Sequence, residues 1–204
     1  MVTSPPESAN GARASAATRA AARAALAETD ADELTGTSGL GHTRWATHGP
    51  ATEGNAHPHS DCGGRISLVH NGIIENAVQL RHALALSGHH FTSDVDSEVL
   101  CHLIEDQLAV SGDLPDAVQA ALTPLEGSWA LAVLEKRTGR IVVAARRSPL
   151  LIAHSAHGAF ATSDIAWIAT STSGSTTIDS ISWGSAKNSG TLGNAAKVGL
   201  NAAP

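Results

Sequence analysis

The sequence predicts an α+β domain in which helices pack on antiparallel sheets, and three observations lead there. Two short β-prone runs open the dense middle of the chain. Three amphipathic helical patterns follow them. Four more β-prone runs, separated by turn signals, then close the dense region. This order lacks the strand–helix alternation of a doubly wound parallel fold and excludes it.

Gly41 to Thr47 and Arg65 to His70 read as the opening strands. A helix begins near Ala77, with Val78, Leu80 and Leu84 expected to face inward. A second begins near Ser97, where Val99, Leu100, Leu103, Ile104 and Leu108 recur at helical spacing and Ser97 and Glu98 suit its N-terminus. The third runs from Pro115, a favourable first-turn residue, through Val118 and Leu122 to a stop near Gly127. Ser128 to Glu135, Arg140 to Ala145, Leu150 to Ser155 and Ala159 to Thr162 are the later strands. Thr138-Gly139, Ser148-Pro149 and His157-Gly158 mark the turns of a meander between them.

The chain has 204 residues, enough for one well-packed domain with material left for tails. Its 42% hydrophobic fraction leans on alanine, and aromatics are only 3% with no tyrosine. Four segments follow from composition: a disordered tail over 1–12, an Ala-rich helix and linker over 13–38, the folded region over 39–168, and a low-complexity tail over 169–204. Net charge is -6 and no basic stripe appears, so nucleic acid is excluded as a partner. The longest apolar runs fall far short of the roughly 18 residues of a membrane span. With no signal-peptide core, and with Cys62 and Cys101 too few for a secreted disulfide framework, the expected location is the cytoplasm.

Three clusters carry chemistry: His42-Thr43-Arg44-Trp45-Ala46-Thr47-His48-Gly49, Asn55-Ala56-His57-Pro58-His59, and His70-Asn71-Gly72-Ile73-Ile74-Glu75-Asn76. Asn71-Gly72 reads either as a two-residue hairpin turn or as two converging donors, a side-chain amide and a backbone N–H, suited to an oxyanion. Arg44 is either a surface charge or a bidentate clamp on a carboxylate. Asp96 is either a helix-start acid or the partner of an ammonium group. A metal held by His57 and His59 with His48 or His70 is set aside, because no His-Glu-x-x-His or paired Cys-x-x-Cys spacing accompanies them. No metal and no cofactor is expected.

In this order and spacing the three clusters resemble the glutaminase domain of glutamine:fructose-6-phosphate aminotransferases, class II glutamine amidotransferases of the N-terminal-nucleophile superfamily. Ser93 to Val99, Leu125 to Ala130, Ser148 to Ile152 and Phe160 to Asp164 look similar too. The resemblance covers about Gly39 to Ile168. It implies a four-layer αββα sandwich. It also implies that Arg44 holds the α-carboxylate of glutamine and Asp96 its α-ammonium, with Thr47, His48, His57 and Gly72 completing the pocket. Asn71 and Gly72 would form the oxyanion hole, and Trp45 would gate ammonia. Glutamine is the expected small-molecule partner, alongside the sugar-isomerase domains of the intact enzyme, which is usually a homo-oligomer.

The sequence departs from the family pattern where the nucleophile belongs. The superfamily uses the thiol of a first-residue cysteine, activated by its own α-amine. Here the chain opens Met1-Val2-Thr3, and Cys62 and Cys101 carry no free amine. The expectation is a sandwich truncated at its N-terminal edge and a chain inactive alone. The alternative is a non-catalytic glutamine-binding or regulatory module.

Overall fold

A computed structural model describes residues 38–43, 52–155 and 158–164, and the backbone of 177–180, 189–192 and 196–201. In chain order the elements are β1 (Gly39–Thr43), β2 (His59–Ser60), β3 (Ile66–Ile74), α1 (Ala77–Leu86), α2 (Ser97–Ser111), α3 (Leu114–Ala121), β4 (Gly127–Glu135), β5 (Ile141–Arg146), β6 (Leu151–Ser155), β7 (Gly158–Thr162), β8 (Thr177–Ser180), β9 (Ser189–Leu192) and β10 (Ala196–Asn201). The protein is α+β, as its pattern of periodicities predicts. Among the described residues no helix is long and apolar enough to cross a membrane.

Two five-stranded sheets form, ordered β2-β3-β4-β5-β9 and β1-β10-β7-β6-β8. Every pair in the first is antiparallel. The second is mixed, because β10 runs parallel to both β1 and β7, which corrects the expectation of wholly antiparallel sheets. The predicted meander is also cut in two. β4 and β5 pair as a hairpin in one sheet, while β6 and β7 pair in the other. Between them Arg147 takes a left-handed φ of 56°, turning the chain from sheet to sheet just before Pro149.

Period-2 alternation explains the stacking of layers. From the antiparallel sheet, Ile66, Leu68, Leu131, Val133, Val142 and Ala144 join one core with Leu100, Ile104, Leu114 and Val118 of the helices. The intervening residues Val69, Ala130, Ala132, Ile141 and Val143 join a second core with Ala161, and Leu40 and Ile152 of the mixed sheet pack against it. Helices, antiparallel sheet and mixed sheet are therefore three of the four layers expected, within the described residues.

The helices keep their predicted positions. Asp113 occupies the N-cap of α3 with Pro115 in its first turn, and Gly112 ends α2 in the left-handed conformation. Val78 is the exception. It is 79% exposed, because Ala77, Leu80 and Leu84 define the buried stripe of α1 and position 78 falls about 100° from Ala77 around the helix. The segment expected to be a low-complexity tail supplies the backbones of β8, β9 and β10. Strand pairing needs only backbone donors and acceptors, so apolar content does not reveal it.

Candidate active site

The site is built around β3, where successive side chains point to opposite faces. His70 points to the helices and Asn71 to the mixed sheet. Neither Asn71 nor Gly72 lies in a turn: Asn71 is opposite Ala130 and Gly72 opposite Trp129 in the β3–β4 ladder. That rules out the hairpin-turn reading. Gly72 has φ +122°, and a Cβ there would stand 2.1 Å from the Ser128 carbonyl oxygen. Only glycine fits so close an approach of two strands.

The Asn71 amide is held from two elements. His42 Nε2 of β1 lies 2.9 Å from Asn71 Oδ1, and Asn71 Nδ2 donates to Ser163 Oγ, just past β7, at 3.3 Å. A carbonyl oxygen only accepts, so His42 carries its proton on Nε2. Burial is the main reason its pKa drops from 6.5 to about 4, against the opposing hydrogen bond to Asn71 and with help from nearby His70 and His59. A neutral His42 thus fixes Asn71 Oδ1 toward β1 and leaves Nδ2 facing Ser163.

On the other face, Ser97 at the start of α2 joins two imidazoles. Its hydroxyl lies 2.8 Å from His70 Nδ1 and 3.1 Å from His57 Nε2. The His57 ring also stacks on His42 at 4.1 Å and meets His59 edge-on at 4.8 Å. Burial holds His70 well below the ordinary imidazole value, although the Asp96 carboxylate pulls it upward.

Asp96 immediately precedes α2 but does not cap it with its side chain. Its Oδ2 instead accepts the Ile74 N–H at 2.9 Å. Ile74 is three residues along β3 from Asn71, roughly 10 Å of strand. Asp96 and Asn71-Gly72 therefore meet on one strand despite their separation in sequence. The loop that carries Asp96 is braced by Arg81 of α1, which donates to the Ser93 and Val95 carbonyls at 3.0 and 2.6 Å and lies over the Phe91 ring. Asn55 Oδ1 accepts the Asp94 N–H at 2.9 Å and ties the 52–58 segment to the same loop.

Of the residues singled out in the sequence, His57, Asn71, Gly72 and Asp96 are thus found around one strand. Arg44, Trp45, Thr47 and His48 lie outside the described residues. Sequence reasoning assigned no role to His42, Arg81, Ser97 or Ser163 in holding these groups. His42 and Ser163 fell inside recognised motifs, but only tertiary contact reveals them as partners of Asn71. Arg81 had no signal beyond interrupting an apolar helix face.

Neither cysteine joins this site in the described geometry. Cys101 is buried in the helix-side core, across the antiparallel sheet from the Asn71 side chain, and burial pushes its thiol pKa well above the ordinary value. Cys62 Sγ lies against His89 and His102 at 3.7 and 3.6 Å.

The described residues thus hold a fixed amide donor and, three residues along the same strand, a carboxylate, on an α+β domain. Residues 42–169 match the family model described as a glutamine amidotransferase domain, and the chain belongs to that family. It is 49% identical over 134 residues to the glutamine–fructose-6-phosphate aminotransferase (isomerizing) of Pyrococcus horikoshii, covering 65% of this chain and 22% of that protein. With the protein of the same name from Methanothermobacter thermautotrophicus, identity is 46% over 148 residues, covering 72% of this chain and 25% of that one. The chain therefore spans about a quarter or less of these relatives. A solved glutamine phosphoribosylpyrophosphate amidotransferase from B. subtilis aligns with a TM-score of 0.46 and 32% identity, over 55% of this chain and 24% of that one.

Proposed function

We propose that this chain is the glutamine-binding domain of a glutamine:fructose-6-phosphate aminotransferase, the part that releases ammonia from the side-chain amide for transfer to the sugar phosphate. The observation that carries this reading is the Asn71 amide, fixed by His42 and Ser163 and lying on the same strand that Asp96 grips. Arg44 holds the α-carboxylate of glutamine and Asp96 its α-ammonium. Thr47, His48 and His57 line the pocket, and Trp45 gates the departing ammonia. In the intact enzyme a thiolate adds to the side-chain amide carbon, and Asn71 Nδ2 and the Gly72 N–H stabilise the resulting oxyanion. Ammonia then leaves, and water hydrolyses the glutamyl thioester to glutamate. The enzyme's sugar-isomerase domains are its partners, in a cytoplasmic homo-oligomer.

The position of the two thiols favours a second reading for the 204-residue chain taken alone. With Cys101 buried behind the sheet and Cys62 among histidines, it binds glutamine without cleaving it. Calorimetric titration with L-glutamine, run beside an ammonia-release assay, tests both readings. Saturable binding that weakens at least tenfold in Asp96→Asn is the expected result for the pocket. Absence of binding by the folded chain would refute the pocket assignment. Ammonia release abolished by Asn71→Ala would overturn the non-cleaving reading and leave the pocket intact.

A further inference from the structure

A second cluster lies farther along α2, away from Asn71. Cys62 follows β2, His89 lies in the connection between α1 and α2, and His102 and Glu105 stand one turn apart on α2. Their ligand-type atoms all lie within 4.8 Å of one another. Cys62 Sγ is 3.7 Å from His89 Nδ1 and 3.6 Å from His102 Nδ1. Glu105 Oε2 is 3.3 Å from each of the same two nitrogens. A tetrahedral zinc, with bonds of about 2.3 Å to sulfur and about 2.0–2.1 Å to nitrogen and oxygen, sets S···N edges of about 3.5–3.6 Å and N···O edges of about 3.3–3.4 Å. Four of the six edges already have these lengths to within about 0.2 Å.

The outward nitrogen of His89 supplies an independent observation. His89 Nε2 lies 2.9 Å from Asp106 Oδ1, and a carboxylate oxygen only accepts, so that nitrogen carries the proton. His102 Nε2 faces Glu98 Oε1 at 3.9 Å, beyond hydrogen-bond reach, and both Glu98 oxygens are instead taken up by donors from Thr92 and Ser93 at 2.7–2.9 Å. His89 therefore keeps its Nε2 proton toward the Asp106 carboxylate and turns Nδ1 inward to Cys62 and Glu105, and His102 likewise turns Nδ1 inward, 3.6 Å from Cys62 Sγ and 3.3 Å from Glu105 Oε2. At His89 this is the carboxylate–histidine–metal arrangement that orients ligating histidines.

We propose that Cys62, His89, His102 and Glu105 form a closed tetrahedral site for a divalent transition metal, with zinc the ion best suited to this mixed sulfur, nitrogen and oxygen set. Four protein ligands leave no open position, so the role is structural. The ion staples three segments: the loop leaving His57 and His59, the α1–α2 connection, and the helix whose N-terminus carries Asp96 and Ser97. Local spacing in the sequence cannot show this site, because its ligands come from positions 62, 89, 102 and 105.

The test uses the full chain stripped with a chelator and titrated with Zn²⁺ or Co²⁺ alone. One equivalent should bind per chain. Co²⁺ should give a sulfur-to-cobalt charge-transfer band in the near ultraviolet and the intense visible bands of tetrahedral coordination, and Zn²⁺ should raise the melting midpoint. Cys62→Ser should lose the charge-transfer band and bind Zn²⁺ at least tenfold more weakly. Asp106→Asn, which leaves all four ligands in place, should bind about 10–100-fold more weakly. Circular dichroism checks that each stripped variant is folded, and His89→Gln provides a second ligand variant if Cys62→Ser fails that check. A weak octahedral Co²⁺ spectrum without the sulfur band, or Zn²⁺ affinity unchanged in a folded ligand variant, would overturn the proposal.

Discussion

His42 shows how one buried side chain makes stability depend on pH. Its pKa in the folded protein is about 4, against 6.5 ordinarily, so between these values the unfolded chain binds the extra proton. Stability is thus undiminished above about pH 6.5 and falls as the pH is lowered toward 4. His70 is shifted in the same direction by the same cause and adds to the slope. Urea midpoints measured at pH 7.5, 6 and 5 should decline steadily, and His42→Gln, which keeps a donor for Asn71, should flatten the decline. An unchanged midpoint across this range would show that His42 is accessible to protons in the native state. Asn71 and Gly72 were legible as a pair because of their chemistry. Their placement in mid-strand was not, since Asn-Gly is equally good at turning a hairpin.

Helix α1 has no catalytic group of its own, yet it sets the loop that delivers Asp96. Arg81 reaches from its buried side to two carbonyls of that loop and covers Phe91. Removing the guanidinium in Arg81→Ala should cost about 1–3 kcal/mol and speed amide exchange across residues 91–96. Glutamine affinity should fall with it, even though Arg81 lies outside the proposed pocket. If exchange in 91–96 is unaltered, the loop is positioned by Asn55 and Glu98 alone. The helices themselves were readable from apolar spacing, as Val99, Leu100, Ile104 and Leu108 of α2 demonstrate by their burial. Val78 was misplaced because a single apolar residue beside a stripe looks like part of it.

Buried alanines occur in both cores: Ala117, Ala121 and Ala144 beneath the helices, and Ala130, Ala132 and Ala161 between the sheets. Ala130, Ala132 and Ala161 lie in the inter-sheet core, whereas Leu131, Val133, Leu100 and Ile104 fill the core beneath the helices. A fully buried small residue and a fully buried large one should respond to opposite changes in size. Ala130→Leu should destabilise by about 1–3 kcal/mol through overpacking, and Leu131→Ala by about 2–5 kcal/mol through a cavity, both read from urea unfolding. A neutral Ala130→Leu would mean that the sheets are loosely apposed. β10 lies between β1 and β7, and removing that strand would split the mixed sheet. Amide hydrogen exchange should therefore show protection at 177–180, 189–192 and 196–201. Exchange at random-coil rates there would support the low-complexity tail expected from composition.

What the residues determined in one dimension was the kind of fold, the order of the helices and of most strands through β7, and the family, because periodicity and motif spacing are local properties of the chain. The resemblance placed Asn71, Gly72, His57 and Asp96 in one pocket, and the structure supplied the contacts that link these positions. Tertiary structure alone decided that His42 and Ser163 hold the Asn71 amide, that Arg81 braces the Asp96 loop, and that β10 enters the sheet in parallel. It alone brought Cys62 to His89, His102 and Glu105. Each of these is a meeting of residues far apart in sequence, and no local pattern records which distant partner a side chain or strand edge will find once the sheets stack.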